Sequence, residues 1–84
     1  MDIEFDPAKD RANLAKHGIS LARAADLEKA VVVKDIRFDG EPRFRLYGRI
    51  DGAPYCLAAV MREGRVRAIS LRRAHAKEFN RHVR

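Results

Sequence analysis

The residues of this chain that could do chemistry are mainly arginines near its C-terminal end. Strict alternation along a predicted strand places Arg65 and Arg67 on the same face as Leu71, and Arg72 and Arg73 follow where the strand ends. The planar fork of a guanidinium can hold two phosphate oxygens at once. Arginines at this edge could therefore clamp a phosphate, although two solvated cations at a turn would give the same pattern.

A second set of arginines lies in the middle of the chain. Arg43, Arg45 and Arg49 alternate with apolar residues, which places them on one strand face together with Tyr47. Such a row is costly to bury, so it must face solvent, a carboxylate or a ligand. An ordinary solvated sheet face explains this row equally well.

Most other chemistries lack the residues that they need. The acidic residues are scattered, no glycine-rich phosphate loop is present, and His75 and His82 are too far apart to share a metal. We therefore expect no metal site and no cofactor. Cleavage of RNA remains available, because the 2′-hydroxyl attacks its own phosphate and the enzyme supplies a base, an acid and cations.

The positive charge is concentrated at one end of the chain. The formal net charge is +6, and the last 24 residues alone contain eight basic and two acidic residues. Arginine outnumbers lysine by thirteen to five. This distribution favours a phosphate-bearing partner, most simply a nucleic acid. A solvated basic face with a C-terminal tail is the alternative.

The elements that position these residues can be predicted from periodicity and capping. Asp6 favours a helix start, Gly18 ends that helix, and Ser20 caps a second one. From Val31 onward the period changes to two, which is typical of strands. The order predicts an α+β domain with an antiparallel meander. The predicted ranges are about 3–5 for an edge strand, 7–16 and 21–29 for helices, 31–38, 43–50, 55–61 and 65–71 for strands, and 74 onward for a last helix.

The length of 84 residues predicts one domain spanning residues 1–84. The acidic N-terminus does not resemble a secretory signal, and no apolar run could cross a membrane. A lone cysteine, Cys56, predicts a small core residue rather than a disulfide or a metal ligand, which favours the cytoplasm. A core this small gives marginal stability, so a partner chain is expected.

Three strings, in order along nearly the whole chain, resemble one known family. They are residues 5–9 with 13–20, residues 41–44 with Gly48, and residues 65–74 followed by Glu78. The sequences Lys-His-Gly-Ile-Ser and Arg-x-Ile-Ser-x-Arg-x-Ala are the most specific parts. Together these strings resemble the BrnT-type toxins of bacterial type II toxin–antitoxin pairs.

The resemblance implies a fold, an activity and partners. The fold would be RelE-like, with two N-terminal helices on a four-stranded antiparallel sheet, a short N-terminal edge strand and a C-terminal helix. The activity would be that of a metal-independent endoribonuclease toxin, which cleaves RNA by phosphodiester transfer and blocks translation. A cognate BrnA-type antitoxin would neutralise the toxin, which would contact operator DNA only through that antitoxin.

The resemblance also implies site residues. In the catalytic set, Arg67 and Arg72 would neutralise the scissile phosphate, with Arg43 beside them. Ser70 would hydrogen-bond a phosphate oxygen or the ribose, and His17 would be the general acid or base. A His17 that simply satisfies the last carbonyls of its helix is the alternative. The RNA-binding set is Arg73, Lys9, Arg45, Arg65 and His75.

Two histidines depart from the family pattern. His75 stands where the family usually has Thr, Ser or Asn, and His82 stands where a tyrosine often follows Glu-x-x-Arg. These departures leave open a different class of function. The alternative is a non-catalytic basic module that binds nucleic acid or protein, including a degenerate toxin.

Overall fold

The computed structural model describes residues 2–35 and 42–83, which form one five-stranded sheet with helices on both faces. The strand order is β1-β5-β4-β3-β2, with β1 parallel to β5 and the other neighbours antiparallel. The predicted α+β class is confirmed. The elements are β1 (Ile3–Glu4), α1 (Pro7–His17), a 3₁₀ helix (Leu21–Asp26), β2 (Glu28–Asp35), β3 (Arg43–Ile50), β4 (Ala53–Arg62), β5 (Arg65–Arg73) and α2 (Ala76–His82).

Two details of the predicted fold need correction. The predicted N-terminal edge strand is present as β1, and because it pairs with β5, Ile3 with Val66, the sheet has five strands rather than four. The second helix is a six-residue 3₁₀ helix rather than an α-helix reaching residue 29. Leu27 turns into the core and Glu28 already pairs with Arg49, so β-pairing takes over a segment that is too short to be stable as an isolated helix. The predicted continuation of β2 to residue 38 lies outside the described residues.

The caps of α1 are those expected from the sequence. The Asp6 side chain accepts a hydrogen bond from the Ala8 amide at 2.8 Å. Gly18 ends the helix in the left-handed region, at φ 73°, and its amide donates to the Leu14 carbonyl. These local signals fix where α1 begins and ends.

Asn13 holds α1 against β5. It is the buried polar residue of the described chain, and its amide group donates to the carbonyls of Ile19 and Leu71 at 2.9 Å each. Its side-chain oxygen accepts from the Leu71 amide at 3.0 Å. Three hydrogen bonds satisfy this side chain and lock the helix to the end of β5.

The main core lies between the sheet and the N-terminal helices. It is built from the apolar side chains of one sheet face and from Leu21, Ala24 and Leu27. Gly48 allows the closest approach in this layer: a Cβ added there would lie 2.7 Å from the Glu28 carbonyl oxygen. The 3₁₀ helix and β2 can therefore pack against β3 only because this position has no side chain.

The opposite face of the sheet is covered in part by α2. Phe79 of α2 packs with Tyr47, Cys56 and Ala74 in a second, smaller cluster. Cys56 is buried there, as predicted from the sequence. This second face carries the arginines that the sequence singled out on β3 and, from the C-terminal set, Arg65, Arg67 and Arg72. Arg73 instead pairs with Tyr55 on the core-side face, and its guanidinium lies 5.6 Å from the centroid of the Tyr55 ring.

Candidate functional site

A β-bulge in β5 brings the two halves of the C-terminal arginine motif onto one face. Ala68 pairs with Ala59 and Ser70 pairs with Ala58, so Ile69 is an extra residue in the ladder. The bulge reverses the alternation, and Arg67 and Ser70 come to share a face. The prediction that Arg67 shares a face with Leu71 is therefore wrong, since Leu71 is fully buried in the main core.

The strand register extends this face across three strands. Arg43 lies opposite Val60, which lies opposite Arg67. The next row contains Arg45, Ala58 and Ser70, and the row after it contains Tyr47, Cys56 and Arg72. We call this surface the arginine face; it comprises Arg43, Arg45, Arg67, Ser70 and Arg72.

Glu78 of α2 organises the end of the arginine face. Its two carboxylate oxygens accept hydrogen bonds from both terminal nitrogens of Arg72, at 3.0 and 2.9 Å. Oε2 also accepts from the Tyr47 hydroxyl at 2.7 Å, and it lies 4.0 Å from Arg45 Nη1. The arginines of β3 were predicted to face solvent, a carboxylate or a ligand. Arg45 faces a carboxylate, that of Glu78.

This network changes the acidity of its members. Hydrogen bonds from Arg72 and then Tyr47 lower the pKa of Glu78 from 4.5 to about 2, even though burial opposes this. The same hydrogen bonding to Glu78 raises the pKa of Arg72. Glu78 is consequently a carboxylate, and Arg72 a guanidinium, across the physiological pH range.

Tyr47 is buried at the centre of the network. Burial and then its hydrogen bond to Glu78 raise the pKa of Tyr47 to about 12. Its ring stacks on His82, with ring centroids 4.7 Å apart and an angle of 17° between the planes. His82, the departure from the family pattern, thus packs against the tyrosine that holds Glu78. As predicted, Tyr47 shares a strand face with Arg43 and Arg45, and α2 covers that part of the face.

An open cleft of about 730 Å³ lies beside this network, where the end of α1, the end of β5 and α2 meet. It contains two histidines, four cations and the Glu78 carboxylate. The two histidines come from different elements, α1 and the loop before α2. The lining residues are Lys16, His17, Arg72, Arg73, His75, Glu78 and Arg81.

The cleft brings together four of the residues singled out from the sequence. His17, Arg72, Arg73 and His75 lie far apart in the chain and meet here. Sequence reasoning missed the cleft residues Lys16, Glu78 and Arg81 as members of the site. A signal was available for Glu78, which follows the closing motif of the family resemblance.

The other predicted site residues do not line the cleft. Arg67 lies further along the arginine face, two rows from Arg72, which is four residues of β4 or about 13 Å, and its Nη1 is 3.5 Å from a carboxylate oxygen of Glu4. Arg65 is exposed at the start of β5, and Lys9 is exposed on α1. The remaining three are Arg43, Arg45 and Ser70, on the arginine face.

Two further properties concern the described residues. Within residues 2–35 and 42–83, no group of three or more His, Cys, Asp or Glu side chains could hold a metal ion. No helix in the same ranges is both long and apolar enough to cross a membrane.

Comparisons with known proteins agree on one family. The model of the family described as "Ribonuclease toxin, BrnT, of type II toxin-antitoxin system" matches residues 5–78. Among solved structures, the fold is similar to that of the Brucella abortus ribonuclease toxin BrnT, with a TM-score of 0.72 and 25% sequence identity, covering 89% of this chain and 97% of that chain. A search of curated proteins gives no match. Because the family match covers most of the chain, this protein belongs to the BrnT family of ribonuclease toxins of type II toxin–antitoxin systems.

Proposed function

We propose that this chain is a single-domain endoribonuclease toxin that cleaves RNA without a metal ion and thereby blocks translation in the bacterial cytoplasm. The observation that carries this proposal is the cleft in which His17 and His75 lie among Arg72, Arg73 and other cations. Histidines can transfer protons near neutral pH, and guanidinium groups stabilise the charge of a phosphorane. These are the groups that RNA cleavage needs.

The proposed reaction is an internal transesterification. One of the two histidines, as the neutral imidazole, takes the proton of the 2′-hydroxyl while O2′ bonds to phosphorus. The other, as imidazolium, gives a proton to the leaving 5′-oxygen while the P–O5′ bond breaks. The products are a 2′,3′-cyclic phosphate and a 5′-hydroxyl. Arg72 and Arg73, which line the same cleft, would stabilise the negative charge that develops on the phosphorane oxygens.

The arginine face provides a path for RNA on one side of the cleft. Arg43, Arg45, Arg67 and Ser70 do not line the cleft, and they fit contacts to phosphates or riboses that neighbour the reacting one. Arg65 lies on the same face of β5 as Arg67, next to the turn between β4 and β5, and Lys9 lies on α1; both would add general attraction for RNA. This division assigns chemistry to the cleft and substrate binding to the sheet.

The experiment is cleavage of purified RNA in the presence of EDTA. Arg73→Ala is the most useful variant, because Arg73 is exposed and the fold should tolerate its loss. We expect cleavage to fall by about 100-fold or more. Arg11→Ala, an exposed arginine of α1 outside the cleft, is the matched control and should cleave within about twofold of wild type. Expression of the wild type alone should arrest growth, and Arg73→Ala should relieve the arrest.

Three results would count against the proposal. Intact RNA together with normal growth would exclude a ribonuclease, and activity abolished by EDTA would exclude the metal-independent mechanism. Equal cleavage by Arg73→Ala and wild type would place the reaction elsewhere. The individual histidines can be tested with His17→Gln and His75→Gln, each of which should remove one limb of the pH–rate profile.

One observation favours the alternative, a non-catalytic RNA-binding module. Arg72 is already held by both oxygens of Glu78, so part of its charge is neutralised before any RNA arrives. The alternative predicts salt-sensitive RNA binding without cleavage and without growth arrest. Binding and cleavage measured on the same RNA separate the two functions.

The family description also names an antitoxin system, which supports a protein partner. We propose that a cognate BrnA-type antitoxin neutralises this chain and links it to operator DNA. Acidic residues of the antitoxin would cover the arginine face, since that both neutralises the cations and blocks RNA.

A further inference from the structure

Arg72 uses only part of its guanidinium in its contacts with the described chain. Its Nη1 donates to Glu78 Oε1 at 3.0 Å and to the Arg73 carbonyl at 3.2 Å, which occupies both N–H groups of that nitrogen. Its Nη2 donates once, to Glu78 Oε2 at 2.9 Å. A guanidinium carries five N–H groups. Within residues 2–35 and 42–83, Nε–H and the second N–H of Nη2 are therefore left over.

These two remaining N–H groups form a second binding edge, which we call the side edge of Arg72. They lie parallel along one side of the guanidinium plane and can hold two oxygens of one phosphate. Glu78 binds the other edge, at the end of the side chain. Arg72 lines the cleft, and 33% of its side chain is exposed. The stereochemistry of the guanidinium therefore allows Arg72 to bind a carboxylate and a phosphate at the same time.

The carboxylate that holds Arg72 is itself fixed by a buried residue. Tyr47 is fully buried, and its hydroxyl donates to Glu78 Oε2 at 2.7 Å. Burial and then this hydrogen bond raise the pKa of Tyr47 to about 12, so the hydroxyl remains a donor. The Tyr47 ring is stacked on His82 and packed in one cluster with Phe79. Hydrogen bonds therefore connect the packed interior through Glu78 to Arg72.

Glu78 lies in the cleft but is poorly suited to carry a proton. Its pKa is lowered to about 2, chiefly by the hydrogen bonds from Arg72, so it is a weak base at neutral pH. Its negative charge also opposes a nearby phosphate. The role that fits these facts is orientation, because an arginine that is already in place stabilises developing charge without reorganising.

We propose that Tyr47 and Glu78 are positioning residues, which hold Arg72 so that its side edge receives the scissile phosphate of RNA. This assignment rests on the proposed function, since it concerns the same cleft. It also accounts for the ion pair that favours the non-catalytic alternative, because Glu78 orients Arg72 without occupying the edge that the phosphate needs.

The test combines the kinetics of RNA cleavage in EDTA with the binding of 2′-O-methylated RNA, which cannot be cleaved because the attacking oxygen is blocked. Tyr47→Phe removes only the hydroxyl that fixes Glu78, and we expect kcat to fall about 10-fold while KM stays within about twofold. Tyr55→Phe is the matched control, because it removes the hydroxyl of a half-buried tyrosine in the same sheet and should cleave like wild type.

Glu78→Gln separates orientation from a general loss of structure. It removes a negative charge from the cleft, so the methylated RNA should bind more tightly than to wild type, whereas kcat should fall about 10-fold or more. A damaged cleft would bind RNA more weakly, and that result would overturn the proposal. Circular dichroism verifies that each variant is folded at the temperature of the assay.

Nuclear magnetic resonance of the Arg72 Nε–H group reports on the side edge directly. Saturating methylated RNA should shift this resonance in wild type, and it should shift the resonance less in Tyr47→Phe and Glu78→Gln. A resonance that bound RNA leaves unshifted in wild type would overturn the proposal.

The outcomes separate this proposal from the proposed function. If wild type cleaves RNA and both variants have the same kcat, the positioning role is wrong and the proposed function stands. If wild type binds RNA without cleaving it, the proposed function is refuted. In that case a shift of Nε–H that the variants reduce still supports the positioning of Arg72, and an equal shift in all three proteins overturns it.

Discussion

The charge of Glu78 is the feature on which the organisation of the cleft depends most directly. Glu78→Gln keeps the shape of the side chain and an oxygen that can accept a hydrogen bond from the Tyr47 hydroxyl. It removes the negative charge that pairs with Arg72. We expect the free energy of unfolding at pH 7 to fall by about 2 kcal/mol. For a domain of this size, that corresponds to a drop in Tm of about 8–16 °C.

The pKa of Glu78 is lowered from 4.5 to about 2, chiefly by hydrogen bonds from Arg72. A difference of this size corresponds to about 3 kcal/mol at neutral pH, which is an upper value because water still reaches both side chains. Exposed ion pairs contribute about 1 kcal/mol or less, whereas breaking a buried pair costs about 3–5 kcal/mol. With side-chain exposures of 33% for Arg72 and 21% for Glu78, this pair falls between these limits.

The contribution of Glu78 to stability depends on pH in the direction set by its lowered pKa. Folding lowers the pKa of Glu78, so its stabilising contribution is complete above about pH 5 and is lost as the pH falls through about 2. The difference between wild type and Glu78→Gln should therefore be largest near pH 7. By about pH 3 it should shrink to less than about half of that value.

Urea denaturation at pH 7 and pH 3 measures both quantities. Glu63→Gln is the matched control, because Glu63 is exposed in the β4–β5 turn, and its effect should stay within about 0.5 kcal/mol. A Glu78→Gln variant as stable as wild type at pH 7 would refute the reasoning. So would a destabilisation that is equal at both pH values, since a charge effect must disappear when the carboxylate is protonated.

Two further predictions concern the scaffold that positions the cleft. Asn13→Ala should lower the free energy of unfolding by about 3 kcal/mol in thermal melts, because it leaves buried backbone groups of Ile19 and Leu71 without partners. Asn80→Ala, at an exposed position of α2, is the control and should have little effect. Gly48→Ala should lower the free energy of unfolding by about 1–3 kcal/mol, since the added Cβ would lie 2.7 Å from a carbonyl oxygen. A variant that unfolds with the same free energy as wild type would contradict this close packing.

The local features of the fold could be predicted because each depends on a few neighbouring residues. The caps of α1 at Asp6 and Gly18 follow from side-chain acceptance and from the left-handed conformation that glycine adopts easily. The two hairpins of β3, β4 and β5 follow from alternation and from turn residues. The second helix was predicted wrongly because β-pairing, a non-local interaction, takes over at Glu28.

The amino-acid sequence by itself determined the α+β class, the basic C-terminal motif and the types of side chain available for chemistry. Tertiary structure decided which of these side chains meet. One extra residue at Ile69 reverses the alternation in β5 and puts Arg67 on the face of Ser70, which a strict period of two cannot reveal. Packing of α2 brings Glu78 to Arg72 and, with the end of α1, places His17 in the same cleft. These contacts join distant segments, so their geometry follows from packing of the whole sheet rather than from any local pattern.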